Sequence, residues 1–180
     1  MLQYTIPMVP GPVSVPPQVL EAFNFDYASA DLEYEYVDLY NEVEANLQKL
    51  MGTQNKIALM TGEGMIVLWG ALKSTLKPGD KVLTVGTGVF GYGIGEMAKA
   101  IGADVMSVGT GYDETIGSLD EIEKAVIHFH PKMITAVHCE TPSGTLNPLA
   151  ELGALKQRLD VPLFYVDAVA SIGGCPVEAD

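Results

Sequence analysis

Hydrophobic positions along this chain follow two rhythms. Tyr36, Tyr40, Val43, Leu47 and Leu50 recur at spacings of four and three, which predicts a long amphipathic helix with one apolar stripe toward a core. Gly52 is its expected stop. Beyond it, short apolar runs alternate with helical stretches. Strands are predicted at Lys56 to Met60, Lys81 to Val85, Asp104 to Val108, Met133 to His138 and Pro162 to Val166. Helices are predicted at Gly64 to Leu76, Tyr92 to Ile101 and Leu149 to Leu159. Another begins at Ser118, where Glu121 stands three residues on and forms a capping box. Ahead of all these, residues 7–17 hold five prolines and one glycine, so residues 1–16 read as an extended arm. A short helix from Pro17 to Phe23 follows, with proline in its first turn.

Repeated strand–helix units with apolar strands imply an α/β fold. The expected architecture is a three-layer sandwich with a mostly parallel sheet, helices covering both faces and right-handed crossovers.

Composition narrows the partners. The 180 residues are 48% hydrophobic and 18% charged, a globular balance. A net charge of −13 repels nucleic acid and acidic membrane surfaces. Asp31, Glu33, Glu35, Asp38, Glu42 and Glu44 crowd one stretch and read as the solvated face of a helix. The two cysteines, Cys139 and Cys175, form neither a metal spacing nor a disulfide framework, which suits a reduced, cytoplasmic setting. No apolar run approaches a membrane span, and the proline-broken start lacks the basic region of a signal peptide.

In such a sheet, ligands bind beyond the carboxyl ends of the strands. Gly86-Thr87-Gly88-Val89-Phe90-Gly91 has the G-x-G-x-x-G form of a dinucleotide fingerprint. The next strand, however, ends in Ser107-Val108-Gly109 without the acid that would hold a ribose. The loop reads equally well as a glycine-rich turn for close helix–strand packing.

The other loops suit a pyridoxal ring. Such a ring needs an acid at its pyridine nitrogen, a flat side chain on its face, and a helix amino end for its phosphate. Asp167 ends an apolar strand and can supply the acid, or it can be a plain turn residue. Phe90 can stack on the ring, or it can be a core aromatic. Gly62-Glu63-Gly64-Met65 opens a helix whose free N–H groups can receive an anion, or it is a simple glycine turn. His138 and Cys139 have no evident partner and read as packing residues.

Four strings, TGEGMIVLWGAL, GTGVFGYGIGEMAKAIGADV, HCETPSGTLNPL and YVDAVASIGG, together with the arm MVPGPVSVPPQVLEAF, resemble the class V, fold-type I aminotransferases. That group includes the alanine–glyoxylate and serine–pyruvate enzymes. The resemblance runs over nearly the whole chain. It implies pyridoxal 5′-phosphate as cofactor, with Asp167 on the ring nitrogen and Val169 against the face opposite Phe90. It also implies Thr141 beside the phenolic oxygen, Gly64 and Met65 as phosphate donors, and Gly11 near the substrate carboxylate. The activity implied is transfer of an amino group from a small amino acid or amine to a 2-oxo acid such as pyruvate or glyoxylate, in a homodimer.

Two departures from the family pattern qualify this. The family's Schiff-base lysine follows the position of Asp167, whereas Lys156 is the last lysine here. Residues 17–180 therefore read as part of the cofactor-binding large domain, truncated and by itself inactive. The alternative is a non-catalytic vitamer-binding or assembly module, one piece of a split enzyme. Glu63 is the second departure. A carboxylate about 4 Å from a phosphate costs on the order of 4 kcal/mol at an effective dielectric near 20. That favours an unphosphorylated pyridoxal or pyridoxamine as substrate, unless Glu63 faces solvent or pairs with a base. Gly62-Glu63, the loop GVFGYG and the run TPSGTLNP look most like the pyridoxamine–pyruvate branch.

Overall fold

The computed structural model describes residues 9–27, 29–177 and 179–180. They form two compact units, one running to Leu59 and taking in Pro176–Asp180, the other Met60–Cys175. Of the expected arm, residues 1–8 lie outside the described ones, and residues 9–16 are exposed without helix or strand.

In the first unit, α1 is Pro17–Ala22 and α2 is Tyr34–Met51, stopped by Gly52 at φ 62°. The expected apolar stripe of α2 is only partly covered: Tyr36, Tyr40 and Leu47 are half-buried, Val43 and Leu50 are exposed, and Glu44 is the helix's one fully buried residue. That corrects the reading of the acidic run as wholly solvated. Glu44 is 6% exposed because its carboxylate accepts from the Ile57 N–H at 2.9 Å and the Lys56 ammonium at 3.1 Å. These two donors hold its carboxyl below the usual range. The same contacts explain why Lys56 to Met60 is not a strand. The Tyr40 hydroxyl donates to Ile57 O and accepts from Leu59 N, so α2 side chains take the backbone groups a neighbouring strand would need.

The second unit carries the sheet. Its elements are α3 Gly64–Thr75, β1 Lys81–Gly86, α4 Val89–Ile101, β2 Asp104–Gly109, α5 Asp120–Phe129, β3 Met133–Val137, β4 Cys139–Glu140, β5 Thr145–Leu146, α6 Leu149–Arg158 and β6 Leu163–Asp167. Strands β2-β1-β3-β6 lie in that order, and every pair is parallel. Strand side chains alternate between two cores. Leu83, Val85, Ile134 and Ala136 pack with Ile122, Val126, Leu152 and Leu155 of α5 and α6. Val82, Met133 and Val137 pack with Leu72, Ile94, Met97 and Ala98 of α3 and α4. The result is the expected three-layer sandwich. At α5 the capping box does not form. Leu119 is the N-cap residue, Ser118 Oγ accepts from Asp120 N at 3.2 Å, and Glu121 pairs with Lys124 instead.

Candidate active site

Strand β1 sits inside the sheet, with its successor β2 on one side and β3 on the other. The chain therefore reverses its lateral direction between β1 and β3, and the carboxyl ends of these two strands flank the crevice where such sheets bind ligands. Gly86 to Phe90 leaves β1 on this rim, and His138 to Thr141 leaves β3.

Glu140 bridges the two. Its side chain is fully buried, with Oε1 accepting from Gly91 N at 2.7 Å and Oε2 from Phe90 N at 3.2 Å. The glycines of the G-x-G-x-x-G motif make room for it. A Cβ on Gly88 would lie 2.5 Å from Glu140 Cδ, and one on Gly91 would lie 2.9 Å from Oε1 and 3.0 Å from Gly86 Cα. The amino end of α4 is thus already occupied by a carboxylate of the protein, which removes the pyrophosphate role from this motif. Close packing of α4 on β1 is what the motif provides.

The amino end of α3 is open. Its N-cap residue, Glu63, makes no side-chain cap bond and is exposed. No described group accepts from the N–H of Gly64 or Met65, the first two helical residues. Gly64 is also where this end meets the loop after β6, since a Cβ there would touch Val169 Cγ2 at 3.5 Å.

Asp167 closes β6 and is 5% exposed. Its Oδ1 accepts from Val169 N at 2.9 Å, the local bond of a turn residue. No described donor reaches Oδ2. Asp167 therefore has one oxygen fixed and one at liberty. It stands in register with Val137 of β3, and its carbonyl accepts from His138 N at 2.8 Å. Val169 is 64% exposed just beyond. Tyr165, two residues earlier, donates its hydroxyl to Leu68 O at 3.2 Å. Burial, with the Asp167 charge adding, pushes that phenol well above its usual range.

Phe90 is half-buried against the core formed by α3, α4 and the sheet, where Met65 and Trp69 also pack. Thr141 is half-buried, and its hydroxyl has no partner among the described residues. Of the residues singled out from sequence, Gly64 and Val169 meet directly, while Met65 and Phe90 share one core. Gly11 belongs to the other compact unit, where it is exposed at φ 153°.

His138 is 7% exposed, its Nδ1 has no described partner, and burial lowers its pKa. Burial raises the pKa of the Cys139 thiol, with Cys175 and Glu140 adding, which suppresses the thiolate a nucleophile needs.

Two residues escaped the reading of the sequence. Glu140 was given no role of its own; its signal was a carboxylate three residues past the largely apolar strand Met133–Val137, answered by two glycines in another loop. Asn147 is 4% exposed, and its Nδ2 donates to Thr87 Oγ1 at 2.6 Å and to Val137 O at 2.9 Å. It ties the two rim loops together, and nothing in its local sequence announced that.

Comparison with known proteins agrees with this geometry. The family model described as "Aminotransferase class-V" matches residues 10–180. Pyridoxamine–pyruvate transaminase of Mesorhizobium japonicum is 33% identical over 173 residues, 94% of this chain and 42% of its own length. The crystal structure of ureidoglycine–glyoxylate aminotransferase from Bacillus subtilis superimposes with a TM-score of 0.89 at 33% identity, covering 96% of this chain and 44% of that one. Alanine–glyoxylate aminotransferase from Nostoc sp. gives a TM-score of 0.88 at 30% identity, covering 98% and 48%. The chain spans less than half the length of these relatives. Family match and fold agree: the chain belongs to the class V aminotransferases, a pyridoxal-phosphate-dependent family.

Proposed function

We propose that the protein carrying this chain is a transaminase that moves an amino group from a small amino acid or amine to pyruvate or glyoxylate, using pyridoxal phosphate. The observation that carries the reading is Asp167, with one oxygen fixed by Val169 N and the other unclaimed, in the same unit as a helix end that no side chain caps. The residues fit the cofactor on both counts. An acceptor-only oxygen suits a protonated pyridine nitrogen, and two adjacent unclaimed N–H groups at a helix amino end suit a phosphate. The names of the relatives support the acceptors, since they pair pyruvate or glyoxylate with different donors.

When bound, the cofactor supplies an electron-withdrawing ring that stabilises the electron pair released at the substrate carbon. Asp167 would keep the proton on the ring nitrogen, and the bond from Val169 N would keep the carboxylate from turning away. Gly64 and Met65 would hold the phosphate through their N–H groups. Phe90 and Val169 would pack on the ring, and Thr141 would offer its hydroxyl to the phenolic oxygen. Glu63 tunes the choice of vitamer only weakly. At an exposed site a pair of unit charges 4 Å apart interacts by about 1 kcal/mol in water, rather than about 4.

The test has two readouts. Pyridoxamine 5′-phosphate needs no lysine to bind, so its fluorescence reports affinity for this chain directly. Asp167→Ala should weaken it by at least about tenfold, the loss expected for a charge-assisted hydrogen bond. In the whole protein, Asp167→Asn should lower kcat for amino transfer by on the order of 100-fold. A whole protein that transfers no amino group to either acceptor, or binding indifferent to Asp167, refutes the reading.

A further inference from the structure

We propose that Glu140 is a positioning residue: from the β3 loop its carboxylate locks the amino end of α4 and thereby sets where Phe90 stands relative to Thr141 and Asp167. This rests on the transaminase reading of the rim. Glu140 itself is out of a ligand's reach, being fully buried, and both of its oxygens are engaged by the protein.

Burying a carboxylate is unfavourable unless donors replace its water. Here the donors are the N–H groups of Phe90 and Gly91, at a helix end that favours negative charge. A helix can be capped more cheaply by the residue that precedes it, but that residue is Gly88, which offers no side chain. The cap comes instead from 49 to 50 residues downstream. Such a cap does something a local one cannot: it couples two loops. One of its bonds is made to the backbone of Phe90 itself. On the other side, Thr141 is the next residue after Glu140, and Gly144 N donates to Glu140 O at 2.8 Å, closing the short β4–β5 hairpin. The carboxylate fits a cradle with no slack, since any side chain at Gly88 or Gly91 would intrude on it. The aromatic side chain proposed for one ring face and the hydroxyl proposed for the phenolic oxygen are thus held through a single carboxylate.

The experiment uses this chain as Glu140→Gln, Phe90→Leu and the double variant, with Glu140→Asp as the variant that keeps the charge but shortens the reach. Amide hydrogen exchange of Phe90 and Gly91 reads the lock without any ligand. Pyridoxamine 5′-phosphate fluorescence reads the site. Glu140→Gln keeps one acceptor oxygen and puts an NH2 donor in place of the other, so it should speed exchange of at least one of the two amides by about tenfold or more, while amides of β1 stay protected. It should also weaken the ligand by roughly two- to tenfold, the range for loss of ring stacking. If Glu140 acts through Phe90, the double variant binds no worse than Phe90→Leu within about twofold, since shared effects do not add. Additive losses, or unchanged exchange at Phe90 and Gly91 in both Glu140 variants, would overturn the proposal. A wild-type chain that fails to bind the ligand while Glu140→Gln still frees either amide would sink the transaminase site and leave the lock standing.

Discussion

Helix α4 contains Gly91, Gly93 and Gly95, and the structure predicts opposite outcomes for the same substitution at these positions. Gly93 has no atom within 4 Å of where a Cβ would sit. Gly93→Ala should therefore show only the intrinsic gain of alanine over glycine in a helix, about 1 kcal/mol, and raise Tm by roughly 2–4 °C for a domain of this size. Gly95 lies one turn after Gly91, on the face against β1. A Cβ there would come within 2.7 Å of Thr84 Oγ1 and 3.2 Å of its Cγ2. Thr84 is fully buried and bonded to Thr135 Oγ1 at 3.4 Å, so it has nowhere to turn. Overpacking of this kind costs about 1–3 kcal/mol, which cancels or outweighs the helical gain. At Gly91 the obstacles are Gly86 Cα at 3.0 Å, which is backbone, and Glu140 Oε1 at 2.9 Å. Shifting Glu140 also weakens hydrogen bonds to a buried charge, worth about 1.5–3 kcal/mol each. Gly91→Ala should thus lose roughly 2–4 kcal/mol net. Urea denaturation of the three variants, with slopes checked against wild type, measures this ordering. Equal stabilisation by alanine at Gly91 and Gly93 would refute the claim that Glu140 and β1 fill the space beneath this helix.

Two further outcomes follow from the rim. Burial lowers the pKa of His138 in the fold, so as pH falls the unfolded chain, with its ordinary value near 6.5, takes up the proton first. Stability is therefore complete above that value and declines as pH falls from it toward the folded pKa, by at most about 1.4 kcal/mol per pH unit. His138→Gln should flatten this dependence in urea melts between about pH 5 and 8; a slope equal to wild type would exclude His138 as its source. Asn147→Ala removes both bonds from Nδ2, to Thr87 Oγ1 and Val137 O, and leaves buried acceptors unpaired. It should cost about 2–4 kcal/mol and be visible as a lower Tm in calorimetry, and a Tm within a degree of wild type would contradict the bridging role.

The parallel strands β1, β2, β3 and β6 were legible to within about one residue because an apolar run between two helices has few other fates in an α/β chain. The run at Lys56 to Met60 looked the same, yet hydrophobicity reports burial and not the partner of the backbone. There the partners are Glu44 and Tyr40, side chains on a helix earlier in the chain. Asp167, Phe90 and Gly64 stood out as candidates because each lies where a strand ends or a helix begins, as the structure also places them. Glu140 and Asn147 did not, since each acts on a loop far away in sequence. The capping box failed although Ser118 and Glu121 have the right spacing: the helix starts at Asp120 with Leu119 as its N-cap, and Glu121 turns to Lys124.

The unequal fates of two helix ends bear on how this protein meets dissolved anions. At α4 the negative group is covalently attached, so it competes at an effective concentration of about millimolar or above, whatever the buffer contains. Raising inorganic phosphate leaves that end undisturbed. At α3 no described side chain plays that part, and the exposed Glu63 and Val169 stand beside the open end. If the α3 end takes the cofactor phosphate as proposed, raising phosphate or sulfate should lower the apparent affinity for the cofactor there while leaving the α4 end untouched.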